Sequence, residues 1–277
     1  MTQLGTHLEQ QQDLAGLIPN LRALANRAAV EILDVYSRDV DVTLKSDDSP
    51  LTEADLRAHR VICAGLESIN PRWPVLSEES KPVEYAKRKL WDTYWLVDPL
   101  DGTREFVSRN GEFTINIALI IRSRPVLGLV QIPVQDLTYV GHVGVGAWRA
   151  KGEEPLEPIH VAKEVAPSPR VLGSRSHRGD SLNAFLERVK NFQLIGAGSS
   201  LKFCQLAEGL ADVYPRLGPT SEWDTAAGQA LLEAAGGYVV TLDGQPLRYN
   251  TKAELLNPHF LAGIGDPNRW LDVLHTP

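Results

Sequence analysis

The chain holds only two cysteines and one methionine in 277 residues, and Cys63 and Cys204 stand far apart, with no CxxC and no His-Cys cluster. That scarcity excludes a disulfide framework and a cysteine-built zinc site, leaving two reduced thiols packed in helices as the expectation. Long apolar runs are also missing, and none approaches the length of a membrane span. Met1 to Asp13 is polar and glutamine-rich, without the basic start and apolar stretch of a secretory signal. The expected location is therefore the cytoplasm, with membrane contact at most peripheral, on the cytoplasmic side of the inner membrane.

Positive charge is in deficit, with 28 Lys and Arg against 35 Asp and Glu. A net charge of -7 excludes a general nucleic-acid binder, which needs a positive field to displace counterions from phosphates. An anionic ligand of such a chain must be met locally, by metal ions and a few Lys or Arg.

What is present suffices for a large core: 43% of the residues are hydrophobic. Apolar residues at helical spacing from Leu14 to Tyr36 predict a long amphipathic helix, with Pro19 in its first turns or marking a later start. A polar segment, Lys45-Ser-Asp-Asp-Ser-Pro-Leu-Thr-Glu-Ala-Asp55, leads into a second helical stripe ending at Asn70-Pro71, so Asp55 lies near a helix start. Strand-like runs follow at Pro74 to Ser77, Tyr94 to Val97, Phe113 to Ile121, Val126 to Ile132 and Thr138 to His142. The Pro- and charge-rich stretch Lys151-Gly-Glu-Glu-Pro-Leu-Glu-Pro marks the expected boundary between subdomains 1–155 and 156–277. Beyond it, strand candidates at Arg170 to Gly173, Gln193 to Ile195, Ala211 to Tyr214, Tyr238 to Thr241 and Phe260 to Ile264 alternate with helical stretches, an α/β pattern.

Three segments carry carboxylates where strands or helices begin or end. In Trp95-Leu-Val-Asp98-Pro-Leu-Asp101-Gly-Thr103 an apolar strand runs into two carboxylates across a turn that Pro99 and Gly102 permit. The Asp98 and Asp101 carboxyls and the Leu100 carbonyl could converge there, and hard oxygens of this kind suit Mg2+. A polar β-turn is the plainer alternative. Val75-Leu-Ser-Glu78-Glu79-Ser again ends a strand in acid, or simply carries solvated loop charges. Trp223-Asp224-Thr-Ala-Ala-Gly precedes a small-residue helix, where Asp224 is either a ligand or an N-cap.

In this order, an acidic pair after a strand, DPxDGT and WDxAAG, the three segments resemble the signature of the magnesium-dependent, lithium-sensitive inositol monophosphatase superfamily. The resemblance implies a layered αβαβα sandwich of mixed α/β class, with a mixed sheet of six-stranded type in the first half and a smaller sheet in the second. It implies two or three Mg2+ ions: Glu78, Asp98 and the Leu100 carbonyl holding one, and Asp98, Asp101 and Asp224 a second. It makes Thr103 and Asp55 the pair that orients an attacking water, Glu78 a further catalytic group, and the amides of Gly102 and Thr103 acceptors of phosphate oxygens.

Longer strings, among them Tyr94 to Phe106, Arg109 to Leu119, Gly198-Ser-Ser-Leu-Lys202-Phe-Cys and Tyr214-Pro-Arg216-Leu-Gly-Pro-Thr, are similar to the bacterial CysQ branch of 3'(2'),5'-bisphosphate nucleotidases. The substrate so implied is 3'-phosphoadenosine 5'-phosphate, a by-product of sulfur metabolism, cleaved to AMP and phosphate. Lys202 beside Gly198 and Ser199 is then the expected contact for the distal phosphate, although a surface lysine is its plainer reading. Ser174 and His177 are the expected contacts to ribose or base, and Arg216 either faces a phosphate or pairs with a carboxylate. Two rival readings remain open: an inositol or sugar phosphate phosphatase, and a non-catalytic regulator that binds nucleotide or metal. The oligomeric state is left open.

Overall fold

The computed structural model describes residues 14–38, 42–44, 50–174 and 180–275. Helix α1, Ile18–Tyr36, begins later than the apolar periodicity, with Pro19 in its first turn, where a missing N–H costs nothing. Its buried stripe, Leu21, Leu24, Ala28, Ile32 and Val35, packs in one core with Ala58, Ile62 and Leu66 of α2, Glu53–Ile69. Strands β1, Val42–Leu44, and β2, Pro50–Thr52, form a small antiparallel pair ahead of α2.

The first sheet has seven strands in chain order: β3 (Val75–Ser77), β4 (Thr93–Asp101), β5 (Thr114–Ile121), β6 (Arg124–Ile132), β7 (Leu137–His142), β8 (Gly146–Lys151) and β9 (Glu157–Ile159). Only β3 and β4 run parallel; every other neighbour pair is antiparallel. The sheet is wider than the six-stranded expectation. Strand β8 buries only small residues, Ala147 and Ala150, so its apolar alternation is faint. Pro158 is tolerated in β9 because that strand lies at the sheet edge. Short helices α3, Tyr85–Arg88, and α4, Thr103–Val107, interrupt the strand order.

The second sheet has the order β11 (Gln193–Ala197), β10 (Arg170–Ser174), β12 (Val213–Arg216), β14 (Phe260–Gly263), β13 (Tyr238–Thr241). Helices α5 (Asp180–Val189) and α8 (Asn268–His275) share an outer core with it through Phe185 and Trp270. Between the sheets lie α6 (Leu201–Ala207) and α7 (Glu222–Ala234). One core there joins Leu96, Ile120 and Val130 of the first sheet to Phe203, Ala227 and Leu231 of these helices and Phe260 of the second. The layers are therefore helix, sheet, helix, sheet, helix.

The middle helix can lie this close because glycines face it. A Cβ on Gly128 of β6 would stand 2.4 Å from the Ala227 carbonyl oxygen, and one on Gly141 of β7 2.3 Å from the Leu231 Cα. The small-residue run read in the sequence thus presses α7 flat on the first sheet, and its N-terminus faces the end of β4.

Candidate active site

Strand β4 is buried along Tyr94 to Leu100, and its pairing with β5 shifts register between Asp98 and Asp101. The bulge frees the Leu100 N–H to donate to Asp98 Oδ1 at 3.0 Å. Gly102, at φ +92°, then reverses the chain into α4, a conformation that residues with a Cβ rarely adopt. Beside it, the parallel register of β3 on β4 continues one residue past Ser77, with the Glu78 N–H donating to the Val97 carbonyl at 3.1 Å. The Glu78 and Asp98 carboxyls are hydrogen-bonded to each other.

Two helices add a carboxylate each, in the same way. Asp55, third residue of α2, accepts through Oδ2 from the Thr52 N–H at 2.8 Å and the Thr52 hydroxyl at 2.6 Å, while Oδ1 accepts from Thr103 Oγ1 at 3.2 Å. The same Thr103 hydroxyl lies 3.4 Å from the Leu100 carbonyl oxygen. Asp224, third residue of α7, accepts through Oδ2 from the Ser221 N–H at 2.9 Å. It is not the N-cap, a position held by Ser221. One oxygen of each aspartate secures a helix start, leaving the other for the site.

Asp101 is held by residues that motif reading passed over. Its Oδ2 lies 2.9 Å from Ser200 Oγ, 3.3 Å from Asn116 Nδ2 and 3.4 Å from Thr114 Oγ1. Ser200 Oγ also lies 2.8 Å from the Asp224 carbonyl oxygen, so one hydroxyl spans the two halves of the site. A signal for Asn116 existed: it is the one amide side chain in the apolar strand Thr114–Ile121.

Electrostatically the cluster is short of positive charge. Burial, then the charges of Glu78, Asp101 and Asp224, hold the Asp98 carboxyl well above the usual carboxylate range. Burial, then Asp101 and Glu78, does the same to Asp224. Asp101 is raised by burial, against the pull of Lys202, Ser200 and Asn116. Buried like charges cannot all ionise without a cation among them. The donors are all hard oxygens, the chemistry of Mg2+. Among the described residues no three acidic, imidazole or thiol side chains close on one point as they stand. Carboxyls whose proton affinity is raised must give up protons when a cation binds. The donor set therefore fits a divalent ion, with closure of the shell coupled to proton loss.

A cleft of about 270 Å³ opens on this cluster, lined by Asp101, Thr103 and Asp224 together with Ser199, Lys202 and Arg216. Lys202 is not a surface lysine: it is 4% exposed, donates to the Ala197 and Ser199 carbonyls at 3.1 and 2.7 Å, and lies 5.3 Å from the Tyr214 ring centroid. Burial pushes it down to about 8, against the pull of Asp101. The Gly198 amide donates to Glu112 Oε2 at 2.8 Å, a partner the sequence did not suggest. Arg216 donates to the Pro219 carbonyl at 2.6 Å, and its buried Nε has no partner. Ser174 ends β10, and His177 lies outside the described residues.

Residues 13–266 match the inositol monophosphatase family. The chain is 46% identical over 247 residues to the 3'(2'),5'-bisphosphate nucleotidase CysQ of Salmonella typhimurium, covering 87% of this chain and 97% of that relative. The Haemophilus influenzae protein of the same name is 32% identical over 251 residues, covering 90% and 93%. Among solved structures, CysQ from Bacteroides thetaiotaomicron superposes with a TM-score of 0.78 at 42% identity, covering 89% of this chain and 97% of that one. The suhB protein of Bartonella henselae shares the fold at a TM-score of 0.79 and 21% identity, covering 94% and 99%. Family members are metal-dependent enzymes, generally using Mg2+. With the family matched over residues 13–266, curated relatives 46% identical over 87% of the chain and a solved relative sharing the fold, the chain belongs to the inositol monophosphatase family.

Proposed function

We propose that this chain is a Mg2+-dependent 3'(2'),5'-bisphosphate nucleotidase that hydrolyses 3'-phosphoadenosine 5'-phosphate to AMP and phosphate. The observation that carries this reading is a cleft lined both by carboxylates and by Lys202 and Arg216, in a chain 46% identical to named bisphosphate nucleotidases. A substrate with two phosphates needs both: one for the scissile group, one for the group that stays.

Glu78, Asp98 and the Leu100 carbonyl would hold one Mg2+, and Asp98, Asp101 and Asp224 a second, with room for a third ion left open. When bound, such ions neutralise the carboxylates, activate water near neutral pH and offset charge on the phosphate. The rest of the work falls to the chain. Asp55 Oδ1 takes the Thr103 hydroxyl hydrogen at 3.2 Å, which leaves a lone pair on Oγ1 to accept a hydrogen bond from the attacking water. Because Thr52 fixes the other Asp55 oxygen, the acceptor cannot swing away. Glu78 joins in accepting the proton that water gives up, and the Gly102 and Thr103 amides meet phosphate oxygens.

In the same cleft, Lys202, with Gly198 and Ser199, is the counter-charge for the distal phosphate, and Ser174 and His177 serve ribose or base. Residues 1–155 supply most of the metal ligands, and residues 156–277 the nucleotide contacts and Asp224. The setting we propose is the cytoplasm, in sulfur metabolism, with inhibition by Li+. Among the described residues no helix is long and apolar enough to cross a membrane.

Phosphate release from 3'-phosphoadenosine 5'-phosphate, beside inositol 1-phosphate, with and without Mg2+, tests the reading. Metal-dependent turnover favouring the nucleotide is the expected result. Preference for inositol 1-phosphate would replace the substrate and keep the metal site, and no turnover of either would favour a binding protein.

A further inference from the structure

A second cavity, of about 430 Å³, lies nearer the C-terminal end of α7 than the catalytic cleft, between the starts of β6 and β13, where Gln229 and Glu233 continue the helix stripe of Thr225. Its volume falls in the range of small-molecule sites and exceeds that of the catalytic cleft. Val126, Val143 and Val240 make its walls apolar, and Gln229, 1% exposed, closes its deep side with the half-buried Glu233.

Arg124 and Arg248 stand at the opening. Neither makes a hydrogen bond or a close ion pair with any described residue, so their donors stay open, although both feel the charge of Glu233. Glu233 is the only acidic lining residue, and it accepts from Gln229 Nε2 at 2.7 Å. Burial raises its carboxyl above the usual range, against the pull of Gln229, Arg124 and Arg248. Two guanidiniums with open donors, outnumbering the one carboxyl among the described lining residues, over an apolar hollow match a molecule with one charged end and one greasy end.

We propose that this cavity is a second ligand site, for a small amphipathic anion whose apolar body lies among the valines and whose carboxylate meets Arg124 and Arg248. An occupant would be felt in the catalytic cleft through a hydrogen-bond chain. Gln229 Nε2 lies 3.3 Å from the Leu247 carbonyl at the cavity wall, and Gln229 Oε1 accepts from the Tyr249 hydroxyl at 2.7 Å. That hydroxyl is 3.2 Å from Thr225 Oγ1, and Thr225 lines the catalytic cleft.

The test is titration of the whole chain with sodium octanoate by calorimetry and saturation-transfer NMR, with octylammonium as the charge-reversed control. Saturable one-to-one binding of octanoate alone is expected, unchanged by excess inorganic phosphate with Mg2+. The pair Arg124→Gln, Arg248→Gln should weaken it at least tenfold, and Val143→Trp, which fills the hollow from its rim, should abolish it while leaving the thermal midpoint within a few degrees. Saturating octanoate should shift KM for the nucleotide at least twofold in the wild type but not in Tyr249→Phe. That last arm alone rests on the nucleotidase reading; the binding arms do not. No binding, equal binding of octylammonium, or binding insensitive to the arginine pair and to Val143→Trp would overturn the site. Binding with an unchanged KM, in a protein that turns the nucleotide over, would overturn the coupling.

Discussion

The two walls of the cleft handle buried charge in opposite ways. On the first, burial together with the charges of Glu78 and Asp101 holds the Asp98 and Asp224 carboxyls well above the usual range, and the cluster is short of a cation. On the second, Lys202 is just as deeply buried, but two backbone carbonyls and an aromatic face already satisfy it. The difference teaches which wall needs a partner in order to function and which is complete within the fold. Carboxylates left in such company favour a cation among them, whereas the lysine is already satisfied by the fold.

The comparison breaks most sharply at Asp98. Asp98→Asn should lower phosphate release by at least about 10³-fold, of the order seen when a major stabiliser of transition-state charge is lost. In metal-free buffer the same change should raise the thermal midpoint, because one member of a like-charged cluster is gone. A variant that is both inactive and less stable without metal would contradict the account of the acidic wall.

Glu222 sharpens the comparison, since it shares the α7 start with Asp224 but faces away from the cleft, accepting from the Asn250 N–H at 2.8 Å. Burial pushes its carboxyl up to about 7. The folded protein thus holds this proton more tightly than the unfolded chain does. Its contribution to stability is complete below the unfolded value and is lost as pH rises from about 4.5 to about 7. Glu222→Gln should therefore remove on the order of 2 kcal/mol of that loss, read as urea-unfolding free energy across this window. An identical pH slope in the variant would show that other carboxyls carry it.

Lys202 gives a smaller effect of opposite sign. A lysine lowered to about 8 is released from its protonated form more easily in the folded state, so it makes stability rise with pH between about 8 and about 10.5. Lys202→Met should flatten that rise and raise KM for the bisphosphate about tenfold at pH 7, with kcat changed less. In the wild type, KM should climb as pH passes 8. Equal losses in kcat and KM for mono- and bisphosphate substrates would remove the assignment of this wall to the distal phosphate.

The smallest change lies at the helix starts. Thr52→Ala loses the cap to Asp55 and should cost about 1 kcal/mol in unfolding free energy, together with a loss of turnover from a mobile Asp55. Loss of stability with full turnover would separate the capping role from the catalytic one.

Much of the first wall was legible in the sequence because its residues are contiguous. Glu78 and Asp98 end strands whose apolar runs are plain to read, and the DPxDGT turn states its own backbone demand at Gly102. Thr103 and Asp55 were paired only through family resemblance, since 48 positions separate them and only packing of α2 against the bulge brings them to 3.2 Å. The residues that hold the acidic wall in place were harder to read. Ser200 and Asn116, which hold Asp101, look like an ordinary serine beside a lysine and an odd amide in a strand, and their contact at 2.9 Å exists only because α6 lies against the first sheet. Strand β8 was missed because its buried positions are alanines, and β12 slid two residues because Pro215 and Arg216 read as a turn while pairing with β14 made them strand.

The central claim is that the acidic wall takes a divalent ion by giving up protons that burial and like charge hold on its carboxyls. Mg2+ titration of the wild type and of Asp98→Asn in two buffers of different ionisation enthalpy, at one pH near 7, measures that directly. The account predicts saturable binding with proton release in the wild type, and loss of both in the variant. Binding without proton release, or undiminished binding in Asp98→Asn, would contradict it.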